Sequence, residues 1–252
     1  MLPTYSRFRF YLLLFFIFAM HFTMLTPGGS GLYLPFNVMS WVFVSILIAL
    51  GLWQIASSKQ IKLHNLHIFM LIGFICMCLP MFYGGEYTDY AIPRLLGLFI
   101  GLVFLFANNQ YTLTKEQNYY VLYLILIGST ISSLVSLGQF YLVTEGSWGG
   151  YTAGKSRPIG LFLQPNVIAS LLSTALIVAL YLFTDNKLEK TTWQRRLIQY
   201  ILFVSPLLLT ILQSRVGFLG AIVGFALILP QVIKQRKKES LKPINRFWLW
   251  RI

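Results

Sequence analysis

Eight stretches of this chain are apolar for long enough to cross a lipid bilayer. They span 8–25, 36–56, 66–83, 92–108, 119–143, 165–183, 198–213 and 217–233. An α-helix rises about 1.5 Å per residue, so a hydrocarbon core about 30 Å thick asks for about 20 such residues. The runs are continuously apolar rather than alternating, which excludes a transmembrane β-barrel. Composition points the same way: 11% of the 252 residues are charged, against about 25% in an ordinary soluble domain. Aromatic residues make up 16%, which excludes a disordered chain. The expected fold class is all-α, a polytopic integral membrane helical bundle of about eight transmembrane helices. The last two runs are joined by very few residues, and 198–213 is the shortest.

Two details refine this reading. Tyr33, Trp41, Trp53, Tyr83, Tyr119, Trp148 and Trp193 gather near the run ends, as an interfacial aromatic belt does. Arg7 and Arg9 stand at the head of the first run in the manner of a signal peptide. That run ends at Ala19-Met20-His21-Phe22, which is no small-x-small cleavage site, so a retained helix is expected.

Orientation follows from the cations, 20 against 7 acidic residues for a net charge of +13. With the N-terminus in the cytoplasm and the spans alternating, sixteen Lys and Arg fall inside. They are Arg7, Arg9, Lys59, Lys62, Lys115, Lys187, Lys190, Arg195, Arg196 and seven in the tail. Four fall outside: Arg94, Lys155, Arg157 and Arg215. The reverse orientation breaks the positive-inside bias, so both termini are expected in the cytoplasm. The organisation is then a transmembrane helical domain, 1–233, and a basic cytoplasmic tail, 234–252, carrying Trp248 and Trp250. Such a tail suits the anionic inner leaflet better than nucleic acid.

The four outer cations are the informative ones, because topology does not require them there. Arg94 follows Ile92-Pro93 at the start of the fourth run, Arg157 precedes Gln164-Pro165-Asn166 at the sixth, and Arg215 opens the eighth. These runs enter the membrane from outside, so their helix N-termini, with free N–H groups, face outward. Arginines beside helix N-termini form an anion site. The alternative is that the arginines snorkel to lipid headgroups.

Other motifs weigh less. Gly149 to Ser156 fits the phosphate-loop pattern G-x-x-x-x-G-K-[ST], with Lys155 as its lysine. It lies between two spans with no strand before it and on the side where nucleotide triphosphate is scarce, so a nucleotide site is not expected. Cys76 and Cys78 are too close for a disulfide. His21, His64 and His67 pair with no ligand at metal spacing, so no metal site is expected. Glu86 and Asp89 read as solvated loop residues, and Gly28 to Gly31 as an outer turn. The Gly97/Gly101 and Gly220/Gly224 spacings read as close helix packing.

Three segments in order resemble a known family. Arg157-Pro158-Ile159-Gly160, then Gln164-Pro165-Asn166-Val167-Ile168-Ala169, resembles the R-x-x-G…Q-P-N-x-x-A signature of bacterial protein O-oligosaccharyltransferases. These pilin-glycosylation ligases belong to the O-antigen ligase superfamily. Thr210-Ile211-Leu212-Gln213-Ser214-Arg215-Val216-Gly217 resembles that superfamily's T-x-S-R-x-G element, with one extra residue between Thr and Ser. Pro27 to Asn37, followed by Ser40-Trp41, looks like the N-terminal region of the protein ligases.

The resemblance implies transfer of a glycan from an undecaprenyl-pyrophosphate carrier to Ser or Thr of a protein such as a pilin. Transfer would occur on the periplasmic face of the bacterial inner membrane, inverting and with neither metal nor cofactor. The superfamily's other branch transfers O-antigen to lipid A core. A pyrophosphate leaving group without a metal needs arginines and helix N-termini to stabilise it. The substrate-binding candidates are Arg157 and Arg215, then Lys155 and Arg94, with Gln164, Asn166 and Ser214 orienting or capping. Family members have about a dozen spans and an outer loop whose histidine activates the acceptor. This chain has eight runs and no outer histidine, so it is expected to be the N-terminal part of such an enzyme, binding donor without completing turnover. Two other classes compete. A transporter or flippase would carry ionisable residues at mid-membrane, and a scaffold would carry no chemistry.

Overall fold

The computed structural model describes residues 3–19, 35–83, 88–148, 151–154, 156–162, 164–185 and 190–240. Its helices are α1 (Pro3–Ala19), α2 (Pro35–Ser58), α3 (Asn65–Cys78), α4 (Thr88–Asn109), α5 (Lys115–Leu142), α6 (Pro165–Thr184), α7 (Thr192–Leu212) and α8 (Arg215–Ser240). A 3-10 turn follows α3 at Leu79–Tyr83, and two short strands, β1 (Ser147–Trp148) and β2 (Tyr151–Thr152), form an antiparallel hairpin. Among the described residues each apolar run overlaps a helix. Four helices among these residues are long and apolar enough to cross a membrane: Met39–Ser58 within α2, then α5, α6 and α7. The fold is all-helical and consistent with a helical membrane protein.

The differences from the apolar runs have local causes. α3 holds 14 residues, a rise of about 21 Å at 1.5 Å per residue. Pro80, which lacks an N–H, then falls in the tighter 3-10 turn. α4 begins at Thr88 rather than Ile92, because Thr88 and Asp89 are good first-turn residues. Pro93 and Arg94, expected at the start of the fourth run, therefore sit in the second turn of α4. α8 runs beyond residue 234 into the basic segment as far as Ser240. Helix starts follow their caps. Thr114 and Gln117 exchange reciprocal hydrogen bonds at the head of α5, at 2.9 and 3.2 Å.

The helices group into two compact units, one of the described residues up to Val121 and one of those from Leu122 onward. In the first, α2 and α4 touch closely, since a Cβ on Gly51 would lie 2.5 Å from the Ala107 carbonyl oxygen. One end of this unit carries a buried polar knot. Arg9, 2% exposed, donates from Nη2 to the Asn108 carbonyl and Oδ1 at 2.8 and 2.9 Å. Its guanidinium lies 3.6 Å from the Tyr111 ring centre, and Tyr111 Oη donates to the Leu50 carbonyl at 2.7 Å. Gln110 accepts from the Lys62 N–H at 2.9 Å and donates to its carbonyl at 3.2 Å. These bonds gather the first half of α1, the α2–α3 loop and the end of α4, all parts that the charge pattern assigns to one side.

In the second unit, Phe162, Ile168, Ala169, Leu172, Val204, Leu208, Leu209 and Leu212 form the core between α6 and α7. α6 and α8 meet along small residues. A Cβ on Gly217 would lie 2.8 Å from the Ala169 Cβ, and one on Gly224 would overlap Ile177. The Gly220/Gly224 spacing thus lies in a close helix contact. Gly97 and Gly101 have nothing within 4 Å of such a Cβ, so the close packing expected there is corrected among the described residues. The outward faces are apolar, with Phe203 76% exposed and Leu227 70%. Faces of this kind suit lipid better than water.

Candidate functional site

The segment 156–162 is held from beneath by a buried amide. Gln139 on α5, 1% exposed, accepts from the N–H groups of Ile159 and Gly160 through one oxygen, each at 2.9 Å. Its Nε2 donates to the Gly160 carbonyl at 3.2 Å. Gly160 has a φ of +61°, and a Cβ there would lie 2.5 Å from Ile168 Cδ1, 2.7 Å from Ser132 Oγ and 2.9 Å from Ser136 Oγ. Only glycine combines that backbone angle with that space. Gln139, Ser132, Ser136 and Gly160 were not among the sequence candidates for orienting groups. Their signal was nonetheless present: Ser129, Ser132, Ser133, Ser136 and Gln139 recur at helical spacing inside an apolar run, and all five are buried.

That anchoring carries Arg157 to the end of α7. Its Nη1 donates to the carbonyls of Leu212 and Gln213 at 3.2 and 3.3 Å. Those carbonyls belong to a helix C-terminus, where acceptors lack intrahelical partners and the dipole favours a cation. Arg157 is exposed and makes no other hydrogen bond among the described residues. The chain then turns from α7 into α8 through Gln213 and Ser214 alone. Gln213 adopts the left-handed conformation, φ 48° and ψ 36°. Ser214 Oγ accepts from the Gly217 N–H at 3.3 Å, capping α8, and donates to Asn166 Oδ1 at 2.9 Å. Asn166 is in the first turn of α6, where Pro165 stands at a position that needs no N–H.

Four of the sequence candidates therefore converge: Arg157, Asn166, Ser214 and Arg215, which opens α8 with an exposed side chain. Gln164 precedes α6 in extended backbone, makes no capping bond and is exposed. Arg94 lies in the first unit, exposed, in the second turn of α4. Lys155 lies outside the described residues, as do residues 27–34, His21, Glu86 and the tail beyond Ser240.

The phosphate-loop pattern takes another shape here. Thr152 pairs with Ser147 in the hairpin, and Ser156 Oγ accepts from the Thr152 N–H at 2.7 Å. α6 begins only at Pro165, whereas a phosphate loop runs straight from its Lys-Ser/Thr into a helix. ATP titration of the purified chain is expected to show no saturable binding that Lys155→Ala abolishes.

Below the converged residues an open groove of about 350 Å³ runs between α6 and α8, lined by Ser170, Ser173, Thr174, Ile177, Val178, Val216 and Gly220. The hydroxyls of Ser170 and Thr174 bond back to their own helix, at 2.9 Å each, which leaves the groove apolar in character. Comparison with known protein families, with curated proteins and with solved structures found no match for this chain.

Proposed function

We propose that the chain binds an undecaprenyl-pyrophosphate-linked glycan and serves its transfer to Ser or Thr of a protein acceptor such as a pilin. The reaction would take place at the periplasmic face of a bacterial inner membrane. The observation that carries this reading is the joining of the two superfamily-like segments. Arg157 reaches Leu212 and Gln213, and Asn166 reaches Ser214. Two motifs separated by some fifty residues thus make one cluster of guanidinium groups, an amide, a hydroxyl and two helix N-termini.

Its chemistry matches a departing pyrophosphate. In an inverting transfer the acceptor hydroxyl gives its proton to a base, the loop histidine in the resembled family, while its oxygen bonds the anomeric carbon and the bond to the pyrophosphate oxygen breaks. Negative charge grows on undecaprenyl pyrophosphate, and Arg215, Arg157 and the α6 and α8 N-termini offer N–H groups to it. The groove between α6 and α8 starts one turn from Asn166 and beside Arg215, which suits the isoprenoid next to the charged head. Purified chain in nanodiscs is expected to bind an undecaprenyl-pyrophosphate glycan saturably and in competition with undecaprenyl pyrophosphate. Binding no tighter than that of a zwitterionic phospholipid would sink the proposal.

The topology that goes with it has eight spans and both termini in the cytoplasm. Support comes from each unit separately. The parts of the first assigned inside meet around Arg9 and Gln110, and the parts of the second assigned outside meet around Arg157 and Ser214. Reporter fusions after Tyr151 are expected to read periplasm, and those after Lys187 cytoplasm. The opposite pattern would put the cluster on the wrong face.

A further inference from the structure

Two described non-glycine residues adopt positive φ, Lys59 and Gln213. The second stands in the two-residue corner that delivers Arg215 to the cluster. A side chain in the left-handed region carries a steric cost that glycine does not, and helices that end this way commonly use Gly at that position. Gln213 gets no visible help from its own side chain, which is exposed and makes no hydrogen bond among the described residues. The Gln213 N–H bonds the Leu209 and Thr210 carbonyls at 3.1 and 3.3 Å, as at a left-handed helix end. The side-chain help comes from Arg157, whose Nη1 bonds the carbonyls on either side of the Gln213 N–Cα bond, those of Leu212 and Gln213. Arg157 is in turn fixed two and three residues along by Gln139.

We propose that Arg157 is a positioning residue: it holds Gln213 in the left-handed conformation and so sets where Ser214 and Arg215 stand. This deepens the donor-binding reading and rests on it for its functional meaning. The restraint runs from Gln139 through the Ile159–Gly160 amides to Arg157, from there to the corner, and from Ser214 across to Asn166. Loss of Arg157 then acts on the donor through Arg215 as well as directly. A glycine at 213 needs no such restraint, so Gln213→Gly alone is close to neutral for donor affinity, and in an Arg157→Ala background it restores what the corner had lost.

The test is a four-way comparison of the full chain in nanodiscs: wild type, Arg157→Ala, Gln213→Gly and the double variant. Two readouts are taken, hydrogen exchange of the Gln213, Gly217 and Phe218 amides and affinity for farnesyl pyrophosphate as a short isoprenyl pyrophosphate probe. Arg157→Ala is expected to speed exchange and weaken the probe. The double variant is expected to regain about 5- to 30-fold in both, the range that corresponds to relief of one left-handed side chain. Thermal unfolding is followed in parallel. Relief of one left-handed side chain is expected to raise the unfolding temperature alike in Gln213→Gly and in the double variant. Probe affinity rises only in the double, so regained affinity is not regained folding. A double variant as impaired as Arg157→Ala in either readout overturns the proposal. If wild type does not bind the probe, the donor reading fails and the exchange comparison alone decides the positioning role. Should Arg157→Ala not fold, Arg157→Met, which keeps the stem and removes every donor, gives the same comparison with and without Gln213→Gly.

Discussion

Gly160→Ala is expected to destabilise the second unit by about 2–5 kcal/mol, combining a left-handed alanine with overpacking of a closed site. The added methyl meets Ile168 Cδ1, Ser132 Oγ and Ser136 Oγ at 2.5–2.9 Å. None of the three yields cheaply. Ile168 is fully buried among Phe162, Leu172 and Leu208, and Ser132 and Ser136 are fully buried on α5. Two other glycines separate the contributions. Gly154 also has a positive φ, +70°, but nothing within 4 Å, so Gly154→Ala should cost only about 1–2 kcal/mol. Gly101 lies in α4 with open space and no positive φ, and alanine there should be neutral or stabilising by up to about 1 kcal/mol. Thermal unfolding in detergent, read by monodispersity after heating, gives the ranking. Gly160→Ala as stable as Gly154→Ala would mean that the turn is not packed as described.

How far the sequence reached depends on which forces set each feature. The helices were legible, because an apolar run in a bilayer has no other way to satisfy its backbone than by helical hydrogen bonds. Their ends were less so. α4 begins four residues before its apolar run because Thr88 and Asp89 favour a first turn, and a hydropathy reading passes over polar residues of that kind. α3 stops at Cys78 and tightens into a 3-10 turn where Pro80 interrupts. In the site, Ser214 as cap of α8 and Pro165 at the head of α6 follow from local residue types. The pairing of Ser214 with Asn166 and the reach of Arg157 to α7 do not. Both are tertiary contacts across some fifty residues, which no local residue pattern specifies. Gln139 was missed because a single amide in an apolar run resembles tolerated polarity until its three partners are seen.

On the proposed function, Arg157→Lys and Arg215→Lys in a complete version of the enzyme are each expected to lower glycan transfer about 10²-fold or more, the usual effect of removing one preorganised charge stabiliser, with the Ala variants lower still. A lipid anchor predicts another outcome. Arg157 spends Nη1 on two carbonyls, and in the proposed site Nε and Nη2 would serve the anion, a division that a planar guanidinium allows. A lysine has one ammonium, and bonding the α7 carbonyls would turn that single charge away from the ligand. Arg215 stands at the first residue of α8, beside N–H groups that the helix leaves free. There a guanidinium offers two parallel donors to a phosphate where lysine offers a point charge. If both arginines merely reach for headgroups, lysine serves equally well, because its stem is long enough to carry the charge to the interface. The measurement is transfer to the acceptor in cells carrying a complete version of the enzyme with each substitution, with membrane levels of the protein matched. Ordinary transfer by well-expressed Lys variants at both positions would remove these arginines from the site.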